Sequence, residues 1–104
     1  MIKVYYSRYG ENGHELQIRG HANYNAGADI VCAGVSAIAY TLLGYLENHQ
    51  EEIDEIDGPA ASAGDLYVAC TGGETIANGF EMAAIGLAQM AQKYPDNISI
   101  HISA

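Results

Sequence analysis

Ile2, Val4 and Tyr6 alternate with Lys3, Tyr5 and Ser7, the two-residue period of a strand with one buried face. Gly10-Glu11-Asn12-Gly13 reads as a turn. Leu16 and Ile18 then oppose Glu15, Gln17 and Arg19 until Gly20 ends the run, so the segment predicts a hairpin. From Asp29 the period lengthens. Val31, Val35, Ile38, Ala39, Leu42, Leu43 and Leu46 form one helical stripe ending near Asn48-His49. Gln50 to Asp57 is acidic, with Ile53 and Ile56 its only apolar members, and reads as the helix end leading into a short exposed strand. Gly58 to Gly64 reads as a loop of small residues.

Leu66, Val68 and Cys70 restore the strand alternation, and Gly72-Gly73 breaks it. A second helix carries Ile76, Phe80, Ala83, Ala84, Leu87, Met90, Ala91 and Tyr94, with Lys93 in its last turn and Pro95 as its stop. Ile98, Ile100 and Ile102 predict a closing strand. The order β-β-α-β-β-α-β, with two amphipathic helices and strands apolar on one face, predicts an α+β fold. It is a single domain over residues 1–104, a mixed sheet with both helices on one face. The other face carries Lys3, Glu15, Arg19, Tyr67 and His101, and marks an oligomer contact if it is not solvated.

With 104 residues, 49% of them hydrophobic, the chain can bury a core of its own. Four Lys and Arg against thirteen Asp and Glu give a net charge of −9, which argues against binding to nucleic-acid phosphates. It suits a basic partner, although acidity alone mostly serves solubility. Lys3, Ser7, Arg8 and Glu11 interrupt any signal-peptide pattern at the start, and no run is expected to reach membrane-spanning length. Two cysteines without a disulfide framework fit a reducing, cytoplasmic setting.

The chemistry concentrates between Gly20 and Ala37. His21 is placed at the end of a strand and Cys32 in the opening turn of a helix, separated by the ten residues Ala22 to Val31. A thiol near a helix start and an imidazole is a common arrangement for a nucleophilic thiolate. Cys32 lies off the apolar stripe, with Ser36 one turn further on the same side. Ala33 and Gly34 leave space for a substrate backbone. A small buried cysteine is the plainer reading of a lone thiol, and the nearby histidine weighs against it. Asp29 reads as an N-cap worth about 1 kcal/mol, or as a carboxylate that orients His21. The small, polar Ala22 to Ala28 segment could be a lid hinged at Gly20 and Gly27. His14, His49 and His101 read as surface histidines, and Cys70 as core. No metal motif or cofactor motif is present.

Gly20-His21-Ala22, Gly27 and Asp29-Ile30-Val31-Cys32-Ala33-Gly34, with Ser36-Ala37, resemble the signature of the ribosomal-processing cysteine proteases, the Prp family. Ala91 to Ile98 is similar to the family's C-terminal helix ending. The resemblance implies a cytoplasmic, homodimeric cysteine endopeptidase that needs no cofactor. Its peptide substrate would be the N-terminal extension of the twenty-seventh protein of the large ribosomal subunit. It further implies that His21 and Cys32 are catalytic, and that Asp29 and Ser36 support the site or contact substrate. That substrate is apolar and aromatic, then basic. A phage-type protease acting on a capsid or scaffold protein is an alternative. So is a non-catalytic ribosome-assembly factor that holds a basic tail. A Cys32–Cys70 redox pair ranks third. No membrane partner and no direct nucleic-acid contact are expected.

Overall fold

The N-terminal alternation forms strand β1, Ile2–Tyr9, in which Ile2, Val4 and Tyr6 are buried and Lys3 and Tyr5 are not. A tight turn returns the chain as β2, Gly13–Arg19, antiparallel to β1 with Val4 opposite Ile18 and Tyr6 opposite Leu16. This computed structural model describes residues 1–20, 28–62 and 64–103, with the backbone alone for Ala28 and Asp29. Helix α1, Ala28–Asn48, buries the stripe Val31, Val35, Ala39, Leu42 and Leu46. A 3-10 turn over Gln50–Glu52 leads into β3, Ile53–Ser62, which pairs antiparallel with β4, Asp65–Gly72. Helix α2, Glu74–Lys93, and strand β5, Ile98–Ser103, complete the chain. The sheet order is β3-β4-β2-β1-β5, with β5 parallel to β1 and every other pair antiparallel. This is the expected mixed sheet with two helices. One cluster of buried side chains, including Val4, Leu16, Val35, Leu42, Val68, Phe80 and Leu87, joins them into a single core.

Three expectations are corrected. First, Gly58 to Ser62 is no loop but the second half of a ten-residue edge strand. Nearly every β3 residue is exposed, so no burial alternation marked it. Backbone pairing to β4 holds it instead, with register shifts at Ile53/Glu55 and Asp57/Ala60, the second spanning Pro59, which has no N–H to give.

Second, His14 is a core residue, 1% exposed. It has the same parity as Leu16 and Ile18 on β2, and that signal could have placed it. Its ring stacks on Phe80 at a centroid distance of 5.1 Å, and its Nδ1 lies 2.8 Å from the Tyr6 hydroxyl.

Third, residues 30–47 of α1 are long and apolar enough to cross a membrane by length and composition, with mean hydropathy 1.6. Their single charge is Glu47. Here the stripe of that helix is committed to the core. Ile102 lies in β5 as expected and is 56% exposed on that edge strand of the sheet.

On the opposite face, Tyr67 donates a hydrogen bond to Glu15 at 3.2 Å, and His101 stacks on Tyr5.

Candidate active site

Cys32 is the fifth residue of α1, next to the buried Val31 and itself only half-buried. Side chains on a helix lean toward its N-terminus. The Cys32 thiol therefore leans toward the end that carries unpaired backbone N–H groups. It lines a cavity of about 130 Å³ together with Ser36 from α1, Gly20 from the end of β2, and Ala61 and Ser62 from the end of β3. Gly64, Leu66 and Tyr40 complete most of the wall.

Gly20 holds a positive φ of 95°, and a Cβ there would sit 2.5 Å from the Met1 carbonyl oxygen. Only glycine fits this conformation and this approach without displacement. The Gly20 N–H donates to the Gly64 carbonyl at 2.6 Å, tying the end of β2 to the β3–β4 turn.

The structure thus brings Cys32, Ser36 and Gly20 together around one cavity. Ala33 and Gly34 do not line this cavity. Ala33 is exposed, and Gly34 stands where the helices cross, since a Cβ on it would lie 2.6 Å from the Met90 terminal methyl. The missing side chain at Gly34 therefore lets α2 approach α1 at this point. Asp29 lies inside α1, one residue past its start, so the N-cap expectation is not met. Its carboxylate, the whole of His21 and residues 22–27 of the expected lid lie outside the described residues.

The wall formed by Ala61, Ser62 and Tyr40 was missed from sequence. Tyr40 follows Cys32 and Ser36 at four-residue spacing, a signal that could have found it. Ala61 and Ser62 carried no signal, because their edge strand has no buried face.

Cys70 is fully buried, and burial pushes its thiol up to about 11. Both cysteines are free thiols. Among the described residues, no group of three His, Cys, Asp or Glu side chains converges as a metal site.

The sequence profile of the cysteine protease Prp family matches residues 1–99. The chain belongs to that family. This Prp chain is accordingly a cysteine endopeptidase. Its fold is similar to that of several solved structures. One is the essential ribosomal processing protease Prp from S. aureus in complex with a covalently linked product peptide, at TM-score 0.73 and 22% identity. The match covers 98% of this chain and 99% of that one. The same S. aureus protease with a substrate peptide matches at TM-score 0.72 and 21% identity, over 98% and 99% of the two chains. SMU.848 from Streptococcus mutans matches at TM-score 0.74 and 23% identity, over 100% of this chain and 96% of that one. No curated protein sequence matches this Prp chain.

Proposed function

We propose that this protease removes the N-terminal extension of the twenty-seventh protein of the large ribosomal subunit, by acyl transfer through Cys32 and His21. The observation that carries the reading is the half-buried Cys32 thiol, which opens into a walled cavity in a chain of the Prp family. Two similar folds belong to a ribosomal processing protease that binds peptides, one of them covalently linked.

In this mechanism His21 takes the proton of Cys32, and the thiolate sulfur attacks the scissile carbonyl carbon. The oxyanion is held by backbone N–H groups at the start of α1, which have no intrahelical partner. His21 then protonates the leaving amine as the C–N bond breaks, leaving a thioester on Cys32. Water hydrolyses the thioester and restores the thiol. Ser36, one turn beyond Cys32 on the same cavity wall, contacts the bound peptide. Asp29 steadies the histidine. The enzyme works as a homodimer in the cytoplasm, a state that sedimentation of the purified chain would measure.

The test is mass spectrometry of the extended ribosomal protein after incubation with the chain and, in parallel, with Cys32→Ser. A single N-terminal cut made only by the unmutated protein is the expected result. No cut of that protein by reduced enzyme overturns the assignment. Cleavage of a capsid or scaffold protein instead would establish the phage-type alternative. Unimpaired binding by Cys32→Ser, with no cleavage by either form, would favour a non-catalytic assembly factor.

A further inference from the structure

Beside the edge strand β3, the last two turns of α1 form a groove of about 570 Å³. Its floor is apolar: Leu43 and Leu46 from α1, and Ile53, Ile56 and Pro59 from β3. Ile56 is 47% exposed, a large aliphatic side chain left in water. The rim is acidic, with Glu47 on one side and Asp54 and Glu55 on the other, all exposed. No Lys or Arg lines it.

This groove and the Cys32 cavity lie along the same two elements, α1 and β3. β3 contributes Ile53 to Pro59 to the groove and Ala61 and Ser62 to the cavity, while α1 contributes Leu43 to one and Ser36 to the other. Seven helical residues separate Ser36 from Leu43, about 10 Å at the helical rise. Five strand residues separate Ile56 from Ala61, about 17 Å. An extended peptide covers that interval with about three to five residues, so one chain can reach both places.

We propose that the groove between α1 and β3 is a docking site for a basic, apolar peptide segment of the substrate, along the same two elements as the cavity of Cys32. The proposal rests on the protease reading of Cys32 for its link to cleavage, while the groove itself does not. Apolar side chains of the peptide fill the floor, and its Lys or Arg side chains meet the acidic rim. Recognition runs through side chains. The register shifts of β3 and the missing N–H of Pro59 spoil the free edge as a template for a new strand. Charge selects the occupant. With thirteen acidic and four basic residues, a second copy of this chain would bring like charge to an acidic rim.

The test uses the full chain carrying Cys32→Ser, so that no turnover intervenes, and a labelled decapeptide of alternating leucine and lysine. Fluorescence anisotropy gives the affinity, and amide hydrogen exchange gives the location. The expected result is protection of residues 53–59 on binding. Affinity should fall at least about tenfold in Glu47→Gln/Asp54→Asn/Glu55→Gln, and also in Ile56→Ser. A charge control that neutralises Glu11, Glu81 and Asp96, none of which lines the groove, should bind as before. Equal losses in the control and the rim variant would overturn the site and leave only general attraction to an acidic protein. Protection elsewhere, or protection of residues 53–59 by self-association without peptide, would overturn it too. Groove binding as predicted, combined with no cleavage of any basic, apolar peptide by the unmutated chain, would uphold the site and sink the catalytic link instead.

Discussion

Gly20 donates its backbone N–H to the Gly64 carbonyl at 2.6 Å, and both glycines hold positive φ, 95° and 82°. This bond fastens the end of β2 to the β3–β4 turn and fixes two walls of the Cys32 cavity. Gly20→Ala should therefore cost about 1–3 kcal/mol for the left-handed backbone alone, with more added by the Met1 carbonyl. Gly10→Ala is the comparison, since Gly10 has φ 60° but open space around it. Urea unfolding should show the larger loss at Gly20, and peptide cleavage should fall at Gly20 only.

The two thiols differ in access. Cys32 is half-buried at a cavity, and Cys70 is enclosed in the core with its thiol pushed up to about 11 by desolvation. Iodoacetamide near pH 7.5 should label Cys32 rapidly and Cys70 only once the chain unfolds. Mass mapping of the adducts in water and in urea checks this. Equal labelling of both in water would contradict the arrangement.

His14 makes the fold sensitive to acid. Its Nδ1 is bonded to Tyr6, its Nε2 is buried with no partner among the described residues, and Phe80 stacks on the ring. Desolvation, and secondarily the positive charge of Arg8, lowers its pKa from the ordinary 6.5. Glu81 shares the adjacent pocket with Arg8 and His14. Since the unfolded chain takes up a proton that the folded one resists, this contribution to stability is complete above the unfolded value. It declines as pH drops through about 6.5 and levels off below the folded value. Urea midpoints between pH 7.5 and 5.5 should fall in the wild type and fall less in His14→Phe.

Gly34 and Met90 should prove energetically coupled. Alanine at Gly34 gains about 1 kcal/mol of helix propensity, but its methyl would meet the Met90 terminus. Gly34→Ala alone should be near neutral, because the Met90 end can shift only at a cost. In a Met90→Ala background it should stabilise by about 1 kcal/mol. A double-mutant cycle measured by urea unfolding reads the difference. Additive effects would mean that Gly34 is not a packing position.

Much of the fold was legible because burial is periodic. Val31, Val35, Ala39, Leu42 and Leu46 are buried as the stripe suggests, and β1, β2 and β4 keep their alternation except at the buried Ala69 of β4. β3 was half legible, since an edge strand held by its backbone needs no hydrophobic pattern. The site was legible where chemistry is local. Cys32 and Ser36 share a helix face by spacing alone, and Gly20 ends its strand.

The sequence by itself determined the order of the elements and put Cys32 and Ser36 on one helix face, because side-chain period and residue chemistry are properties of adjacent positions. Only the tertiary structure decided that Ala61 and Ser62 wall the thiol cavity, that Gly34 belongs to Met90 and that His14 lies inside the core. Each of these depends on which elements meet across the fold. Strand pairing and helix crossing settle that through contacts between residues far apart in the chain.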